Sequence, residues 1–322
     1  MARALQVAEI PSLAAAVIAG LDPAIQPEQR SGGPSGDDVR KARRAANAHA
    51  AGPAKRSAEA LRRHWPEYLM EGAELGLFMV SAGIFGTLLF HPGSPLVALW
   101  PDPLARRALM GAIMGLTAIG LIYSPWGQQS GAHLNPAVTL AFWRLGKVAT
   151  WDALFYVLAQ FAGGALGVLL VLALLGQAFA DPPVHYVATA PGPHGVAAAL
   201  LAEIAISFGL MLTVLLATNA QKLMRLTGVF AGCLVALYIT VEAPVSGMSM
   251  NPARTVASGL PGNLWPALWI YFVGPIAGML LAVEAYRLLR GTPQVLCAKL
   301  HHHNNRRCIF RCGHAARASH GD

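Results

Sequence analysis

The chain has 322 residues, of which 55% are hydrophobic and only 12% charged, with a formal net charge of +8 at pH 7. Soluble domains carry roughly 25% charged residues, so this composition excludes an ordinary soluble enzyme or binding module. The basic residues concentrate at the two ends and leave a middle of long apolar runs, the pattern of a polytopic membrane protein with two polar tails.

Residues 1–64 read as a basic, mostly disordered cytoplasmic tail with an amphipathic helix near 54–64. Its charge marks a solvated flank that helps orient the spans rather than a lipid- or nucleic-acid-binding arm, so no nucleic acid is expected as a partner. Residues 2–20 are alanine-rich but interrupted by Arg3, Glu9 and Pro11, which argues against a secretory signal.

A membrane domain follows over 65–290. A bilayer core of roughly 30 Å takes about 20 apolar helical residues to cross. Six stretches meet that length, near 69–90, 106–124, 152–179, 198–218, 226–243 and 265–287. Ala, Leu and Met dominate them and no period-2 alternation is sustained, so they predict helices and not barrel strands. Arg144, Lys147, Lys222, Arg225 and the residues from Arg287 onward share one side with the basic N-terminal tail. The positive-inside rule makes that side cytoplasmic, with both termini there as six spans require; Arg106 and Arg107 are the exception on the opposite side.

The membrane domain is an internal repeat with halves near 67–180 and 198–290. Each half opens on a glutamate, Glu71 in "MEGAELGLFMV" or Glu203 in "AEIAISFGLML", and carries Asn-Pro-Ala between its second and third spans. Three spans per half is an odd number, so the two copies are inverted, an arrangement that places a site at their interface near the bilayer midplane.

Asparagine favours the N-cap and proline the first helical position, so Asn135-Pro136-Ala137 and Asn251-Pro252-Ala253 each start a helix. About ten residues follow before a stop, roughly half a bilayer at 1.5 Å per residue. Two such re-entrant half-helices, meeting by their N-termini, complete one pseudo-span around a polar lumen, because irregular backbone at that depth must be enclosed by protein or line water. The asparagine amides then point donors inward and the helix ends repel cations, which selects neutral solutes. A guanidinium within the bilayer costs about 3 kcal/mol or more, so Arg254 must face a cavity, where its charge and fork of donors narrow the pore. The fold class is thus an all-α membrane protein of six transmembrane helices and two re-entrant half-helices in an inverted repeat.

On these residues the chain resembles the aquaporin, or major intrinsic protein, family across about 66–290, with "SGAHLNPAVT", "WIYFVGPIAG" and the paired glutamates adding to the two motifs. The resemblance implies a homotetramer with one pore per subunit and passive flow of water or small uncharged solutes through an integral, multi-pass channel, here of the cell (inner) membrane. It implies that Asn135 and Asn251 are the central donors and Arg254 the selectivity-filter arginine. The other filter positions fall on Ile239, Met248 and either Met114 or Gly115, in place of the histidine and aromatic ring of strict water channels. That makes the constriction more apolar and leaves a broader facilitator of glycerol, urea, ammonia or hydrogen peroxide as the alternative; Thr255, where glycerol facilitators resemble one another in having aspartate, argues against a dedicated polyol channel.

Glu71 and Glu203 are expected to accept hydrogen bonds from N–H groups or waters leading into the opposing half-helix, ordering the pore wall. Glu74 is placed to reach the cytoplasmic vestibule, His133 to line the cytoplasmic half of the pore, and Glu242 to pair with Arg254 or face water. The C-terminal tail, 291–322, is rich in Cys, His and Arg. Cys308 and Cys312 with His303 and His314 would supply four zinc ligands, the only cofactor the sequence suggests; the alternative is a reduced basic tail with incidental thiols. Nucleophile, base and cofactor fingerprints are missing, which excludes an enzyme, and the absence of a midplane carboxylate pair disfavours a secondary transporter.

Overall fold

A computed structural model describes residues 52–290 and 295–314. The disorder expected of the N-terminal tail therefore falls mostly outside the described residues. What is described of it, from Pro53, is the start of a continuous helix, α1 (Pro53–Phe90), so the expected boundary at residue 65 lies inside a helix. The remaining long helices are α2 (Pro103–Tyr123), α3 (Pro136–Arg144), α4 (Thr150–Leu175), α5 (Gly195–Thr218), α6 (Thr227–Val241), α7 (Pro252–Gly259) and α8 (Ile270–Arg290). Among the described residues six segments are long and apolar enough to cross a membrane, α1, α2, α4, α5, α8 and Met224–Val241, which extends α6 by one turn; α3 and α7, of 9 and 8 residues, are the half-helices.

The helix starts follow local chemistry. Asp102 caps α2 through Leu104 N–H and is followed by Pro103, while Asn135 and Asn251 cap α3 and α7 and are followed by Pro136 and Pro252. In each case the side-chain oxygen satisfies an N–H that a helix start leaves open, and proline occupies a position where no N–H is needed.

Packing follows the inverted repeat. The most extensive contacts join α1 to α4, α5 to α8, and α2 to α6; α7 of the second half rests on α4 of the first, and α3 of the first rests on α8 of the second. Small residues set these approaches, as expected where lipid tails are as apolar as leucine and close backbone contact drives association. A Cβ on Gly163 would collide with the Gly72 carbonyl, one on Gly115 would sit 2.5 Å from the Gly232 carbonyl, and one on Gly278 would meet the Ile204 carbonyl. Large aliphatic side chains that remain exposed, among them Leu116, Leu166, Leu201 and Leu281, form the surface for lipid.

Replacing Gly163 by valine should lower stability by about 1–3 kcal/mol or more, as in an overpacked core, because what the new side chain meets is the Gly72 backbone, which cannot move aside. Gly120→Val, where a Cβ meets nothing within 4 Å, should leave the thermal midpoint in detergent close to the unaltered protein.

Candidate pore and the tail at its mouth

The two loops that lead into the half-helices, Ser130–Asn135 and Ser246–Asn251, share one backbone course. Gly131 and Gly247 have φ of 106° and 80°, Ala132 and Met248 of 55° and 50°, and Leu134 and Met250 of 51° and 53°. The left-handed region costs a side-chain-bearing residue about 1–2 kcal/mol, so four such residues need to be held. Glu71 holds the first loop by accepting from His133 N–H (2.9 Å), Leu134 N–H (2.8 Å) and Gln160 Nε2 (2.9 Å). Glu203 holds the second by accepting from Ser249 N–H, Met250 N–H and Ser246 Oγ, each at 2.7 Å. Each glutamate thus serves the half-helix of its own half, not the opposing one as the sequence suggested. The reason is inversion: the first span of each half returns past that half's own loop.

The same pairing recurs one step back. Tyr156 donates to the Ser130 carbonyl (2.6 Å) and Tyr271 to the Ser246 carbonyl (2.7 Å). Sequence reading passed over both tyrosines, although each lies in its half's third span at nearly the same offset from Asn-Pro-Ala. Glu74 is fully buried and accepts from Ser130 Oγ (3.1 Å), so it does not reach a vestibule.

At the centre, Asn135 Oδ1 accepts from Ala137 N–H (2.8 Å) and Asn251 Oδ1 from Ala253 (3.0 Å) and Arg254 N–H (3.2 Å). Their amides are not wholly free, as the sequence suggested. Asn135 Nδ2 donates to the Met250 carbonyl and Asn251 Nδ2 to the Leu134 carbonyl, both at 2.7 Å, tying the two N-termini crosswise. Each amide retains its second hydrogen for the lumen.

A cavity of about 470 Å³ runs along these groups, lined by Met114, Ile239, Met248 and Arg254 together with Asn135, Asn251 and His133. Gly115 does not line it, which resolves the one-residue ambiguity: Gly115 is turned onto α6, where the Gly232 carbonyl leaves no room for a side chain. Arg254 Nη1 is buried with no hydrogen-bond partner among the described residues, and Arg254 forms no ion pair with Glu242. Arg107 and Val187 also line the cavity and were not anticipated; the signal for Arg107 was its place, with Arg106, on the side opposite the other basic residues. No carboxylate lines the cavity among the described residues. His133 lines it, but its Nε2 donates to the Ala298 carbonyl (2.9 Å) and Nδ1 lies 3.1 Å from Thr139 Oγ1.

That carbonyl belongs to the C-terminal tail, which folds back against the membrane domain. Its thiol and imidazole groups gather as Cys297, His302, Cys308 and Cys312, whose ligand atoms all lie within 4.8 Å of one another. This corrects the set expected from sequence: Cys308 and Cys312 belong, but His303 is turned to Arg225 (2.6 Å) and His314 stacks on His302 at 4.1 Å. Contact with Cys297, helped by His302, the Phe310 amide and the charge of Lys299, holds the Cys308 thiol below the usual thiol range against the effect of burial, while the same contact and burial push Cys297 up.

Glu203→Gln should lower stability by about 3 kcal/mol, because one loop N–H is left facing an amide donor while the left-handed residues keep their strain. Glu59→Gln, at a half-buried position where only a solvent-accessible pair with Arg63 is broken, should change it by about 0.5 kcal/mol or less. Thermal midpoints in detergent separate the two.

Comparison with known proteins agrees with this architecture. The family model for the major intrinsic proteins matches residues 79–286. Aquaporin NIP1-3 of Oryza sativa subsp. japonica is 38% identical over 183 residues, 56% of this chain and 62% of that protein. Aquaporin NIP1-1 of Zea mays is 34% identical over 221 residues, 67% of this chain and 76% of that protein. The chain therefore spans less than two thirds of the rice relative's length. The X-ray structure of the aquaglyceroporin from Plasmodium falciparum superimposes with a TM-score of 0.56 at 20% identity, covering 69% of this chain and 95% of that one, a likeness of fold. With its paired half-helices and a family match over most of its length, the chain belongs to the major intrinsic protein family and is an integral, multi-pass membrane protein.

Proposed function

We propose that the chain is a passive channel for water and small uncharged solutes that excludes ions and protons. The observation that carries this reading is the meeting of two helix N-termini on one cavity wall with an unpaired Arg254 Nη1. Each N-terminus carries about half a positive elementary charge, so a cation at the centre meets about one unit of repulsion before the guanidinium is counted. A neutral oxygen instead finds donors: one amide hydrogen from each asparagine and the free guanidinium nitrogen. No coupling carboxylate among the described residues lines the cavity to favour a secondary transporter.

Breadth of selection rests on Met114, Ile239 and Met248, which add thioethers and an aliphatic chain to the cavity lining. They favour water with limited passage of other small solutes, and glycerol, urea, ammonia or hydrogen peroxide remain the second reading. The tail-bearing side, with Lys147, Lys222 and Arg225, is the cytoplasmic one on the distribution of basic residues, with both termini there, and the cell membrane is the proposed location. The homotetramer rests on family membership.

Proteoliposomes of reduced, metal-free protein should shrink severalfold faster than empty liposomes under an impermeant osmolyte, measured by stopped-flow light scattering. Arg254→Ala should keep water flow and raise entry of glycerol or urea and of protons. Rates equal to empty liposomes would end the channel reading, and rapid re-swelling of the unaltered protein in glycerol or urea would favour the broader facilitator.

A further inference from the structure

The tail is docked as part of the core and not draped over it. Val295, Cys297, Ala298, Leu300 and Phe310 are buried in the main hydrophobic cluster, and Leu300 lines the cavity itself. Leu300 N–H donates to the Gly131 carbonyl (3.1 Å), Ala298 accepts from His133, and the Phe310 ring stacks on His133 at 5.4 Å. These are groups of the loop leading into Asn135 that would otherwise face water at this end of the pore. The tail also reaches all around the mouth: Arg307 donates to the Arg63 carbonyl, Arg311 N–H to the Lys147 carbonyl, and Leu296 N–H to Asn219 Oδ1.

We propose that Cys297, His302, Cys308 and Cys312 bind a zinc ion and that the bound metal latches the tail across this mouth with Leu300 as the stopper, closing the pore. This gating rests on the channel reading above. The donor set is soft and mixed, three thiolates and an imidazole, which suits tetrahedral zinc. Its spacing falls in two pairs, Cys297 with His302 and Cys308 with Cys312, with four residues between the first two and three between the second two. The geometry agrees: tetrahedral bonds of about 2.3 Å to sulfur put two thiolates about 3.7 Å apart, and Cys297 Sγ and Cys308 Sγ are 3.6 Å apart. A second pair, Cys312 Sγ and His302 Nε2, is at 3.1 Å, so these two side chains need to open by only a few tenths of an ångström to reach the about 3.5 Å of tetrahedral S–Zn–N bonds.

Lys299 supplies an independent sign. It is 2% exposed and lies between two ligands in sequence, an expensive place for an ammonium. Three thiolates and a dication sum to one negative charge, which Lys299 neutralises. Its Nζ also donates to the Arg307 (2.7 Å), Arg306 (3.3 Å) and Gln128 (2.8 Å) carbonyls, so it joins the metal loop to the segment just before Ser130. Metal binding would thereby couple to docking, since the ligands converge only when residues 297–312 are folded back.

The test uses the full chain, reduced and stripped of metal, then loaded with zinc before reconstitution. One zinc per chain should bind, cobalt in its place should give the intense visible absorption of a tetrahedral thiolate site, and trypsin cleavage after Arg306, Arg307 and Arg311 should slow. Water permeability should fall severalfold with zinc and recover with chelator. Cys308→Ser/Cys312→Ser should bind no zinc, conduct at the metal-free rate in both states and keep its tail trypsin-sensitive; Leu300→Ala should bind zinc yet close less completely. No zinc binding, or zinc binding with neither trypsin protection nor loss of flow in a conducting protein, would overturn the proposal. So would zinc inhibition that survives in the double variant, or slowed flow that follows from oxidation to a Cys297–Cys308 disulfide and not from metal. Flow equal to empty liposomes in every state would instead defeat the channel reading, with cobalt absorption and trypsin protection still deciding the latch.

Discussion

Two buried carboxylates hold this molecule's centre in shape. Glu71 and Glu203 each accept from the two backbone N–H groups just before the capping asparagine. Each loop contains two side-chain-bearing residues in the left-handed region, at a cost of about 2–4 kcal/mol. Two hydrogen bonds to a charged acceptor contribute about 1.5–3 kcal/mol each, enough to offset that strain. The loop then delivers Asn135 or Asn251 to its cap, and the caps deliver two helix N-termini to one point. Everything proposed for the lumen depends on that placement.

The two halves are bound to each other as well as built alike. Asn135 donates across to Met250 and Asn251 across to Leu134, so the element that caps each half-helix also closes the interface between repeats. The half-helices exchange supports in the same way, α3 resting on α8 and α7 on α4. Selection at the centre is therefore a property of the interface, and neither half forms the site alone. Away from the centre the halves diverge. Gln160 and Thr139 back the first loop, whereas Thr255 and Thr189 hydroxyls back the second, and among the described residues the tail lies against the first loop.

That asymmetry gives the pore two unlike ends. One carries Arg107 and Arg254, fixed charges that face the cavity. The other carries Leu300 and a ring stack of His133 on Phe310, all beside a cluster of thiols and an imidazole. Fixed charge at one end and apolar side chains from the tail at the other answer different physical needs: the proposed filter would discriminate between solutes, and the proposed latch would set whether any pass.

The six spans, the inversion and the two half-helices were legible in the sequence, because each follows from rules that act over a few residues: apolar length, odd span count, and Asn-Pro at a helix start. Arg254 was legible for the same reason, since a lone guanidinium in an apolar run has to face a cavity. Which half a glutamate serves, whether Met114 or Gly115 reaches the lumen, and which histidine joins the cysteines depended on distances between segments remote in sequence. His302 and His303 are adjacent and chemically identical, and only the direction of the backbone turns one toward Cys312 and the other toward Arg225. Tyr156 and Tyr271 were hidden among apolar neighbours because nothing local distinguishes a tyrosine that packs from one that donates to a carbonyl in another segment. The sequence by itself determined the spans and the ends of the half-helices, where the deciding energies are local; the tertiary structure alone decided the partners of the buried polar groups, because a hydrogen bond needs a partner within about 3 Å and sequence does not state that distance.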